Sequence, residues 1–205
     1  LPSIAALAKF RENYGKWISL PENTENEELI NNLKFKCPLL LPTICLTSLR
    51  FNVVRSRVKD EESLQRQLSI RLSLELKEFL AAPSEFKSFE FLQALVILCV
   101  YGLSLSNSEL SIDPWVLSGL AIQWFLALDI NKSSLAPEAS ETPDEYHGGE
   151  TETAVTSVAK EEEKLSTFRI WNHLCLVHLS QCVFSGRMCV LDEIRLNQTR
   201  KSLEL

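Results

Sequence analysis

A chain of 205 residues with 21 Lys/Arg against 27 Asp/Glu is long enough to bury one core, or at most two small ones, without disulfides or metal. Its net charge of −6 excludes an overall attraction to a nucleic-acid backbone. The longest uninterrupted apolar run, Ala94 to Tyr101, is far short of the ~18 to 20 residues needed to cross a bilayer. The negative charge is local, because residues 131–164 hold nine acids and three lysines while the rest is balanced. One basic cluster stands out, Arg50, Arg55, Arg57 and Lys59. Asp60, Glu61 and Glu62 follow it at once, so it reads as a solvated helix end rather than a DNA contact. The opening LPSIAALAKFRENYGKW lacks a basic segment ahead of a long apolar core, so no secretory signal is expected. The thiols are then expected to be reduced, in a soluble intracellular protein. A lone Met188 in a chain that opens at Leu1 predicts a fragment of something longer.

In chain order, Ile4, Leu7, Ala8, Phe10, Tyr14, Trp17 and Ile18 recur mostly every three or four residues, which predicts an amphipathic helix ending near Leu20-Pro21. Thr24 to Glu27 fits a capping box opening a short helix through Leu29, Ile30 and Leu33. From Cys37, CPLLLPTICLTSLRFNVV predicts a helix buried on most sides, with Pro42 bending it or marking its start. Asp60 to Glu62 place charge at a helix N-terminus. Leu64, Leu68, Leu72, Leu76, Phe79 and Leu80 then form one stripe that Pro83 ends.

FKSFEFLQALVILCVYGLSL, from Phe86, shows no polar face and predicts a central core helix whose end Gly102 loosens. Asp113-Pro114-Trp115 is a strong start signal, with Asp capping and proline in the first turn. In the helix that follows, Gly119 and Ala121 would let a neighbour approach closely. Residues 133–163 offer Pro, Gly, Ser, Thr and acids but little to bury, which predicts a disordered acidic insertion. LSTFRIWNHLCLVHLSQCVF resumes the core, with Gly186 as the C-terminal cap, and Asp192 to Leu203 predicts a last, more polar helix. No stretch alternates with period two. The expected fold is therefore all-α: a single multi-helix, antiparallel bundle-like domain over 1–205.

Chemistry is sparse. The histidines are His147, His173 and His178, and no phosphate-cradling glycine loop, HExxH or GxSxG motif occurs. No catalytic, cofactor-binding or metal-ligating residue is expected, and the chain reads as a non-enzyme. Cys175, His178 and Cys182 fall on one helical face, near enough for two thiolates and an imidazole to share a metal. The absence of any C-x2-C pair, and flanking Leu174, Leu176, Val177 and Leu179, favour small buried hydrophobes instead. A helical scaffold, or a ligand pocket among Trp115, Trp124 and Trp171, are the other readings of such a chain.

Two segments together resemble the fungal-specific transcription factor domain, the helical middle homology region of fungal zinc-cluster regulators. LQALVILCVYGLSLSNSELSIDPWVLSGLAIQWFLALDI is similar to that family's apolar helix, short loop and Trp-initiated helix, with Gly119-Leu120-Ala121 as its Gly-x-Ala step. FRIWNHLCLVHLSQCVFSGRM looks like its Arg-x-Trp-Trp helix followed by Gly-Arg-Pro, with Arg169, Trp171, Gly186 and Arg187 at matching positions. CPLLLPTICLTSLRF is similar to the first apolar helix, so the likeness covers about three quarters of the chain. Asn172 replaces a second tryptophan, Met188 the proline, Asp129 a glycine, and His178-Leu179 an Asp-Arg pair, so the family's internal ion pair is expected to be missing. The resemblance implies a nuclear regulatory domain. Its partners would be other domains of the same protein, transcriptional co-regulators, a small-molecule effector in some members, and a second copy as homodimer. DNA contact and zinc would belong to a separate N-terminal module with six cysteines, not to this segment.

Overall fold

The computed structural model describes residues 2–21, 23–51, 58–82, 88–127 and 152–192. Every regular element among them is helical: α1 (Pro2–Phe10), α2 (Asn26–Lys36), α3 (Leu40–Phe51), α4 (Val58–Ala81), α5 (Phe89–Leu105), α6 (Pro114–Ala127) and α7 (Glu152–Ser185). The expected helix after Asp192, Asp129, Arg55, Arg57 and residues 133–151 of the expected insertion lie outside the described residues. Residues 152–163 of that insertion are helical and form the first turns of α7.

α5 is the centre. From Phe91 to Cys99 every side chain is buried, which follows from an apolar run with no polar face. Ser88 caps its start by accepting from the Phe91 N–H. α4, α5, α6 and α7 run alternately up and down, as contacts at both ends establish: at one end Asn107, just past α5, donates to Ser69 of α4 and Ser118 early in α6 meets His178 late in α7, and at the other three ring pairs meet. Phe79 near the end of α4 meets Phe91 at the start of α5, with ring centroids 4.7 Å apart. Phe91 meets Trp124 near the end of α6 at 5.1 Å, and Phe125 stacks on Trp171 of α7 at 5.0 Å. α3 packs against α1, α4 and α5 and closes the other side.

Three local expectations change. α1 gives way after Phe10 to a wide π-type turn, Arg11–Gly15, and then to a turn in which Ser19 has φ +55°. The capping box does not form, because Glu25 is the N-cap and makes no side-chain cap bond. Arg11 fixes that corner instead, donating to the carbonyls of Pro21 and Thr24 and to Asn26 Oδ1 at 2.6–2.8 Å. On α4, Leu72 and Phe79 are buried but Leu80 is 57% exposed. Steps of four residues advance about 40° beyond a full turn each time, so a run of such steps rotates off the core face. Pro42 sits in the first turn of α3, where a missing N–H costs nothing.

Candidate functional site

Of the residues that carry the family likeness, Gly186 and Arg187 meet Asp113-Pro114-Trp115 where α6 begins and α7 ends. α6 starts as Asp113-Pro114-Trp115 requires: Asp113 Oδ1 accepts from the Trp115 and Val116 N–H groups at 3.0 and 3.3 Å, satisfying donors that a helix start leaves unpaired. α7 ends at Gly186, whose φ of +66° is the left-handed conformation that glycine adopts without penalty. The reversal carries Arg187 back to Asp113, with Nη1 2.6 Å from Oδ2. Its guanidinium lies 5.0 Å from the Trp115 ring centroid. Trp115 Nε1 donates to the Met188 carbonyl at 3.2 Å. The Arg187 hydrogen bond holds the Asp113 carboxyl below the usual carboxylate range, helped by the two backbone donors.

Beneath this clasp lies His178, fully buried. It pairs with Ser118 of α6, with Nδ1 2.9 Å from Oγ. Its tautomer follows from the partners. Val190 N–H donates to Nε2 at 3.1 Å, so Nε2 holds the lone pair and Nδ1 the proton. Ser118 Oγ donates in turn to the Trp115 carbonyl and accepts from Nδ1. Desolvation lowers the His178 pKa from its ordinary value, and the ring is neutral. Cys182 Sγ lies 3.5 Å from Nε2.

The remaining signature residues serve packing. Ala121 is buried beside Ile122 in α6. A methyl at Gly119 would stand 3.7 Å from His178 Cε1, an ordinary contact, so the approach there is close without being tight. The tight glycine is Gly102: a Cβ would come 2.7 Å from Ile112 Cγ2, so this residue lets the α5–α6 connection fold back and does more than loosen a helix end. Trp171 is fully buried. Arg169 reaches the opposite end of the domain, where Nη1 donates to the Lys16 carbonyl and to Ser19 Oγ at 3.1 and 2.9 Å. Gln93 donates to the carbonyls of Ile18 and Ser19 and holds the same turn from below.

Five thiols are buried, and Cys189 is exposed. Burial pushes the Cys37 thiol up to about 11 and raises Cys99 further. Cys175 does not join the His178 group. Cys189, past the end of α7, does, so the group differs from the one-face set of Cys175, His178 and Cys182 weighed from the sequence. Trp124 packs edge-on against Phe79 and Phe91, so it fills core space rather than lining a ligand pocket. A groove of about 300 Å³ instead lies between α4 and α6, floored by Leu76, Leu110, Leu117 and Leu120 and rimmed by Lys77 and Asp113. Sequence reasoning missed it because its two walls are far apart along the chain. Among the described residues no helix is long and apolar enough to cross a membrane.

Comparison with known proteins places the whole chain. The sequence family described as the middle domain of the transcriptional activator of proteases prtT matches residues 3–205. The chain is 26% identical over 98% of its length to a transcriptional activator of proteases prtT of Penicillium rubens, of which it spans 26%. It is 24% identical over 98% to the protein of that name in Aspergillus clavatus, spanning 28% of it. A transcriptional regulatory protein of Schizosaccharomyces pombe is 29% identical over 95% of the chain, which spans 32% of that protein. The chain thus covers between a quarter and a third of these relatives. No solved structure matches it. With a match over nearly its whole length, the chain belongs to the prtT-like middle-domain family of fungal transcriptional regulators.

Proposed function

We propose that this chain is the regulatory middle domain of a fungal transcription factor, acting in the nucleus and modulating transcription by RNA polymerase II. The observation that carries this reading is the family match over residues 3–205. Sequence-specific DNA binding and its zinc belong to a separate N-terminal module of the whole protein. The thiols here do not suit a binuclear cluster, since no C-x2-C pair occurs and Cys37 just past α2, Cys45 on α3, Cys99 on α5 and Cys175 on α7 are buried apart along the chain. The domain regulates through contacts, with no catalysis of its own. Other domains of the same protein, co-regulators or a small effector are the partners, and the apolar groove between α4 and α6 is the surface offered to them.

The test is deletion of residues 3–205 from the full-length protein in its host, with reporter transcription and promoter occupancy read together. Occupancy should persist while transcript output changes. Unchanged output with full occupancy would overturn the reading. Leu120→Glu in the groove should alter output without unfolding the domain, because Leu120 is 36% exposed.

A further inference from the structure

We propose that His178, Cys182 and Cys189 form a binding site for one thiophilic closed-shell cation of the zinc(II) type, set in the middle domain itself. Their ligand atoms all lie within 4.8 Å of one another. The Cys182 Sγ to His178 Nε2 separation of 3.5 Å is already that of two ligands on one tetrahedral zinc, about 3.5 Å for metal bonds of ~2.3 and ~2.05 Å. Cys189 needs to move by about 1 Å to complete three tetrahedral positions. It can do so, because it is exposed and follows the Gly186 reversal.

Ser118 orients His178 as a metal-binding histidine requires. Ser118 takes the Nδ1 proton and is itself committed as donor to the Trp115 carbonyl, so Nε2 is the free-electron-pair nitrogen and faces Cys182. Leu191 N–H already points at Cys189 Sγ at 3.4 Å, a donor that would stabilise a thiolate. Binding replaces one proton on each of the two thiols with the dication, and both protons pass to solvent. Two thiolates, a neutral imidazole and the dication make a site of zero net charge, suited to a partly buried place. Val190 N–H gives up Nε2 and turns to water, which its half-buried position allows. A water takes the fourth position on the exposed side. The site would join the loop after α7 to α7 itself and, through Ser118, to α6. It is separate from the zinc assigned to the N-terminal module and does not depend on the regulatory role.

The test uses the 205-residue chain, reduced with a non-chelating phosphine and titrated with zinc(II) against a chromophoric chelator, and with cobalt(II) as optical probe. One equivalent should bind, with an intense near-ultraviolet sulfur-to-cobalt absorption and release of two protons. Cys189→Ser, an exposed change that leaves folding intact, should weaken zinc binding about 10-fold or more and reduce the sulfur-to-cobalt band by about half. Ser118→Ala should weaken binding while leaving the band's intensity intact at saturation, as expected of a positioning residue. A wild-type cobalt spectrum without thiolate absorption, or binding and absorption unchanged in Cys189→Ser, overturns the proposal.

Discussion

At Asp113 one carboxylate does two jobs, capping α6 through Oδ1 and pairing with Arg187 through Oδ2. Both partners are more than a third exposed, so the ion pair contributes only ~0–1 kcal/mol, and the cap is the larger part. Asp113→Ala should cost about 1 kcal/mol in urea unfolding at neutral pH. Asp113→Asn keeps a capping oxygen and should cost less. Because the folded carboxyl is held below its ordinary value, its contribution is full above roughly pH 4 and is lost as pH falls through the folded value. The Asn variant should therefore lose stability less steeply than wild type over that acid range. Asp-Pro-Trp was readable as a helix start from sequence, since capping is local. The arginine that completes it, 74 positions away, was not.

At the scale of elements, two glycines in neighbouring helices make opposite predictions. Gly102 faces Ile112 with no room for a methyl, whereas Gly119 faces His178 with ordinary clearance. Gly102→Ala should destabilise by about 1–3 kcal/mol through overpacking. Gly119→Ala should be neutral or stabilising by up to ~1 kcal/mol, because alanine is the better helix former. Thermal or urea unfolding of the two variants side by side decides it, and a large loss at Gly119 would show that α6 and α7 approach more tightly than described. The existence of α5 and α6 was legible from apolar runs and a start signal. The break after Phe10 was not, because the apolar spacing continues through Tyr14, Trp17 and Ile18 while Arg11 pulls the backbone toward α2.

For the whole molecule, Trp171 joins α7 to the hairpin of α5 and α6 through its stack on Phe125. Trp171→Ala should cost about 3–5 kcal/mol, a large share of the ~5–15 kcal/mol that holds a domain folded. Trp171→Phe should cost less than about 2 kcal/mol, since it keeps an aromatic stack and removes a buried N–H without an acceptor among the described residues. Equal losses for the two variants, measured by chemical denaturation, would deny the stack its role.

Hydrophobic spacing, proline placement and capping residues act within a few positions, and by themselves they determined that the described elements are helical, that α6 begins at Pro114 and that α5 is central, but not that α7 begins as early as Glu152. The order and spacing of Gly119, Arg169, Trp171, Gly186 and Arg187 likewise sufficed to indicate the family. Only the tertiary structure decided what those residues touch. Arg169 meets a turn 153 residues away, His178 finds Ser118 at a distance of 60, and Cys189 rather than Cys175 comes beside it. Such partners are chosen by how packed helices bring remote side chains into register, which no local spacing encodes.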